Sequence, residues 1–196
     1  IGKVERSFAA DPTIGAKHSE IIIDEHKKLS IGCALKHFPG HGSAGNDSHY
    51  GITDVTNTWS IKELEPYKTL WAANSNVGVM TAHIFNSNLD AEYPATLSQK
   101  IIDGILRKEI GYNRIVFSDD MNMAAIANYY GFEKALELSI NAGVDMVVIA
   151  NNLIFDEFIA EKAQSAILRL VIDGKISTAR INEAYNRIIE FKKNIQ

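Results

Sequence analysis

The stretch Lys36-His37-Phe38-Pro39-Gly40-His41-Gly42, followed closely by Asp47-Ser48-His49, gathers three of the six histidines of the chain. Continued to Gly51, it also holds four of the thirteen glycines. Asp47 and His49 are separated by one residue, so in an extended or turn backbone both side chains face the same way. A carboxylate there can accept from one imidazole nitrogen, which sets the tautomer and raises the basicity of the ring. Such a histidine can give a proton and later take one near neutral pH. Turn formation at Asn46-Asp47 is the structural alternative. His37 and His41 are four apart, a spacing that suits metal ligands on a helix, but Pro39 and Gly40 between them preclude that helix.

A second concentration is Ser118-Asp119-Asp120-Met121. Asp119 closes an apolar run and precedes a helical pattern through Ala124 and Ala125, so its carboxylate would stand at a strand tip. With two adjacent aspartates, one can cap the helix while the other faces a pocket. His83 follows another apolar run, and Asn151-Asn152 follows a fourth.

The elements that must carry these residues alternate regularly. Apolar runs at 31–35, 77–81, 114–117 and 145–150 each precede an amphipathic helical pattern, which is a βα alternation. The runs are apolar on both parities, as expected for parallel strands covered on both faces. Asp11-Pro12 opens a helix over 14–29, and Ser60-Ile61-Lys62-Glu63 is a capping box ahead of Leu64, Tyr67 and Leu70. Ser98 starts a helix over 99–110 that stops at Gly111, Gly143 ends one over 133–142, and Ser177 begins one over 179–193. No linker or composition shift divides the chain, so residues 1–196 read as one α/β domain. Four units are half of what a closed (β/α)8 barrel of about 250 residues requires, and an open doubly wound sheet could also use them. Either architecture puts function at the carboxyl ends of its strands, where the ionisable residues stand.

The chain of 196 residues is 46% hydrophobic and 22% charged, with a formal charge of −4. This is the composition of a globular domain with no basic run to meet nucleic acid or an anionic membrane, and with no apolar stretch long enough to span a bilayer. The single Cys33 lies in the apolar run Ile31-Gly32-Cys33-Ala34-Leu35 and reads as core filler. Ile1 opens the chain with no Met and no signal-type segment, so the natural start is expected upstream, and compartment (bacterial cytoplasm, or secreted or envelope) stays open.

With these residues the sequence resembles glycoside hydrolase family 3, in its β-N-acetylglucosaminidase branch. The carriers are the loop from Lys36 to Gly42 with Asp47-Ser48-His49, the segment Ser118-Asp119-Asp120-Met121-Asn122-Met123, Arg6-Ser7-Phe8, and Pro94-Ala95-Thr96-Leu97-Ser98. The resemblance implies a (β/α)8 TIM-type barrel, with this chain as its C-terminal half, strands five to eight. It implies retaining, exo-acting hydrolysis of terminal β-linked N-acetylglucosamine from muropeptides or chitin-type sugars, with no cofactor and no metal.

Carried over by residue, Asp119 is the nucleophile, His49 the acid/base, and Asp47 the residue that orients His49. Arg6, Lys36 and His37 hold sugar hydroxyls, with His83 and Met123 near the same mouth. A histidine replaces the second carboxylic acid of most glycosidases, yet a His–Asp pair can both protonate the leaving oxygen and deprotonate water. The absent N-terminal half of the barrel would be required, in a protein of roughly 320 residues. A phosphorylase of the same family and a non-catalytic sugar-binding module are the alternatives.

Overall fold

A computed structural model describes residues 1, 6–45, 51–74, 76–151 and 155–195. The elements in chain order are α1 (Pro12–Lys28), β1 (Cys33–Phe38), β2 (Thr53–Asp54), a 3-10 turn (Ile61–Leu64) running into α2 (Glu65–Ala73), β3 (Val77–Thr81) and β4 (Ile84–Phe85). A 3-10 turn (Ala95–Leu97), a wide helix (Lys100–Glu109), β5 (Val116–Asp120), α3 (Ala124–Tyr130), α4 (Phe132–Ala142), β6 (Met146–Val148), α5 (Ile159–Ile172) and α6 (Thr178–Lys193) complete it.

Local chemistry explains most of these boundaries. The Asp11 carboxylate accepts from the N–H groups of Thr13 and Ile14 and Pro12 opens α1. Both reciprocal bonds of the Ser60/Glu63 capping box are made. Ser98 Oγ accepts from Ile101 N at 3.1 Å, and Gly111 ends the following segment with φ +80°. Gly143, at φ +121°, ends α4, and Ser177 caps α6 through Arg180 N. The helix over Lys100–Glu109 is wound more widely than expected, with Ile110 N–H donating to Ile105 O. The larger turn sets Ile101, Ile102 and Leu106 on one buried face.

Four strands form a parallel sheet in the order β1-β3-β5-β6, each pairing with the next of the four in sequence. This is the α/β pattern of a barrel wall. A second pairing, β2 with β4, is two residues long on each side and has no counterpart in the sequence periodicity. The main core lies between the sheet and the helices behind it, built from Phe38, Val79, Ile84, Ile102, Leu106 and Val116 among others. A smaller cluster under α4 and α5 holds Leu136, Ile140, Leu170 and Ile176.

Two strands run further than the apolar runs that mark them. β1 continues through Lys36, His37 and Phe38, and β5 continues through Asp119 and Asp120. Hydrogen bonds to a neighbouring strand satisfy the backbone whatever the side chain, so polar residues at a strand end keep the ladder while breaking the apolar signal. β1 and β6 are the edges of the sheet. Along β1 a groove of about 1140 Å³ opens between α1 and α2, with Ile22, Cys33, Leu35 and Leu70 on its walls. α1 exposes Ile14 and Ile21, and α5 exposes Leu168 and Ile172.

Candidate active site

The carboxyl ends of β1, β3 and β5 bring His37, His83 and Asp119 together. His37 is buried in β1, and its ring lies 5.6 Å from that of His41 in an edge-on arrangement. Burial pushes the His37 pKa down to about 4; the negative charge of Asp119 opposes this, while Lys36, His41 and Arg6 add to it. His37 is therefore a neutral imidazole near pH 7. His83, just after β3, is 0% exposed. Burial lowers its pKa as well, against the opposing influence of Asp119 and Asp120.

Asp119 lies at the tip of β5. Its N–H donates to Thr81 Oγ1 at 3.3 Å, and its Oδ1 accepts from Asp120 N at 2.9 Å. The two aspartates divide the work, though not by capping a helix. Asp120 Oδ1 accepts from Asn122 N at 3.0 Å and Ala150 N at 2.9 Å, which ties the β5 tip to the end of β6. The cap position of α3 is Met123, with no side-chain cap bond. Met123 is itself 3% exposed, its N–H donating to Asp120 O at 3.1 Å.

The loop after β1 is held from the other side. Gly42 N donates to Glu63 Oε2 at 3.0 Å, and Trp59 Nε1 donates to Pro39 O at 3.1 Å. Gly40 has φ +124°, and a Cβ built there would stand 2.4 Å from Glu63 Cβ. Glycine is thus required on both conformational and steric grounds. The same glutamate closes the capping box at 60–63, so one carboxylate fixes both a helix start and the histidine loop.

Arg6 and Lys36 are exposed and stand at one end of the β1 groove, close enough that their charges act on His37. Asp47 and His49 lie outside the described residues. Among the described residues, no group of three or more histidine, cysteine or acidic side chains is arranged to hold a metal ion. No helix among them is long and apolar enough to cross a membrane. The sequence marked no site role for Thr81, Thr96 or Trp59, and marked Glu63 only as a helix-capping residue. Only their positions were visible: a strand end, the Pro94 to Ser98 segment, and the capping box.

A parallel α/β sheet whose ionisable residues collect at the carboxyl ends of its strands is the layout of a barrel enzyme. The chain belongs to glycosyl hydrolase family 3: the model of that family's N-terminal domain matches residues 1–191. It is 33% identical over 195 residues to a β-hexosaminidase of Shewanella frigidimarina, covering 94% of this chain and 55% of the relative. Against a β-hexosaminidase of Tolumonas auensis the identity is 33% over 151 residues, covering 76% of this chain and 45% of the relative. The chain spans about half the length of these curated relatives.

Among solved structures, the family 3 β-N-acetylglucosaminidase of Paenibacillus sp. FPU-7 superposes with a TM-score of 0.87 at 30% identity, over 97% of this chain and 36% of that one. The β-N-acetylglucosaminidase of Thermotoga maritima gives 0.82 at 29% identity, over 94% of this chain and 40% of that one.

Proposed function

We propose that this chain is the C-terminal half, strands five to eight, of a family 3 barrel that removes terminal β-linked N-acetylglucosamine with retention, from muropeptides or chitin-type oligosaccharides. The observation that carries the reading is the Asp119 carboxylate at the tip of β5 beside two buried histidines, His37 and His83, whose pKa values burial lowers. Asp119 attacks the anomeric carbon while the bond to the leaving oxygen breaks. His49, oriented by Asp47, delivers the proton to that oxygen and then takes one from water, whose attack on the same carbon frees Asp119. Arg6, Lys36 and His37 hold sugar hydroxyls, and His83 and Met123 stand near the same mouth. The exposed apolar residues of α1 and α5, beside the two edge strands, support the need for an N-terminal half of the barrel.

The test is turnover of an aryl β-N-acetylglucosaminide beside an aryl β-glucoside by the complete protein, with and without Asp119→Ala. Turnover of the first sugar, lost by more than about a thousandfold in the variant, is expected. A fully active Asp119→Ala protein overturns the assignment. Products in phosphate buffer separate hydrolysis, which gives free sugar, from phosphorolysis, which gives sugar 1-phosphate.

A further inference from the structure

The hydrogen bonds around Thr81 and Thr96 have forced directions. Thr96 Oγ1 donates to the main-chain carbonyl of Ala82 at 2.9 Å, which uses its one hydroxyl proton. In the 2.9 Å contact between Thr81 Oγ1 and Thr96 Oγ1, Thr81 must then be the donor. Thr81 Oγ1 is left with lone pairs only, and it accepts the N–H of Asp119 at 3.3 Å. The result is a one-way chain from Asp119 N–H through Thr81 and Thr96 to the Ala82 carbonyl. Both threonines are 0% exposed, so no water competes for these bonds.

We propose that Thr96, acting through Thr81, is a positioning residue that sets the main chain of Asp119 and so the aim of its carboxylate. Thr96 lies in the 3-10 turn Ala95–Leu97, and this turn is itself pinned just beyond the end of β3 by Thr96 N–H donating to Ala82 O at 3.1 Å. On its other side the Asp119 carboxylate is tied to Asp120 N. With the residue's own N–H and one carboxylate oxygen both engaged, a shift at Thr96 is passed to the reacting group and not absorbed by a free rotation. The inference rests on the reading of Asp119 as nucleophile.

The experiment compares Thr96→Val and Thr81→Val with Thr96→Ser and Thr81→Ser in the complete protein. It reads kcat and KM on an aryl β-N-acetylglucosaminide, the thermal midpoint, and the rate of covalent trapping at Asp119 by a fluorinated N-acetylglucosaminyl fluoride. The valine variants should lose kcat by roughly ten- to a hundredfold with KM within about threefold, because misplacement of the attacking group acts on the barrier and not on ground-state binding. Trapping should slow in parallel.

The serine variants keep the hydroxyl and should stay within about threefold of wild type. Serine variants as impaired as the valine ones would assign the effect to packing and overturn the relay, and so would valine variants with wild-type kcat. If a valine variant does not fold, the corresponding alanine variant, which also lacks the hydroxyl, takes its place against the serine variant with the same two outcomes. A wild-type protein that neither turns over nor is trapped at Asp119 overturns the nucleophile reading, and the positioning role falls with it.

Discussion

His83 Nε2 and the main-chain carbonyl of Asp120 are 2.8 Å apart, and because a carbonyl can only accept, Nε2 carries the proton. The bond crosses from the end of β3 to the tip of β5 and holds the peptide that follows Asp120. His83→Ala should lower kcat about tenfold and destabilise the fold by about 1–3 kcal/mol, from the lost bond and the cavity left by a fully buried ring. Kinetics and urea unfolding on the same preparations check both.

Gly40 stands against Glu63 in a backbone conformation that side chains rarely adopt. Gly40→Ala should cost more than about 2 kcal/mol and most of the activity, since either the loop or Glu63 must move. Gly45, with nothing within 4 Å of a built Cβ, is the control, and Gly45→Ala should stay within about 0.5 kcal/mol. Denaturant midpoints of the two variants provide the comparison.

At the opposite ends of the strands, the side chain of Asp145 is 0% exposed and meets three arginines. Arg107 lies at 2.8 Å, Arg180 at 2.8 Å and Arg187 at 3.1 Å, while the Val116 N–H donates to the same carboxylate at 2.9 Å. Asp145→Asn leaves these cations with a neutral partner and should destabilise by about 3–5 kcal/mol. KM of the folded fraction should not change, since the cluster stands at the amino ends of β5 and β6. Urea unfolding and steady-state kinetics separate the two effects.

His37 ties stability to pH. Its pKa is about 4 in the fold and 6.5 as the ordinary value, so below pH 6.5 the unfolded chain binds the proton more readily. Stability from this group is present above pH 6.5 and is lost as pH falls toward 4, by a total on the order of 3 kcal/mol. Unfolding midpoints between pH 4 and 7 should show this slope in wild type and a shallower one in His37→Asn.

What the sequence determined by itself is local. Asp11, Ser60, Ser98 and Ser177 start helices because a side-chain oxygen within three residues satisfies a free N–H, and Gly111 and Gly143 end segments because they accept positive φ. The βα alternation was legible because a buried parallel strand must be apolar on both faces. The same signal stopped short in β1 and β5, where His37 and Asp119 extend a strand with polar side chains.

Only the tertiary structure decided the partnerships at a distance. Thr81 meets Asp119 across 38 residues, His83 meets Asp120 across 37, and Gly42 meets Glu63 across 21. No periodicity encodes such pairs, because each depends on which strand lies beside which. The sheet order β1-β3-β5-β6 supplies that information and turns two sequence motifs and an unassigned threonine into one site.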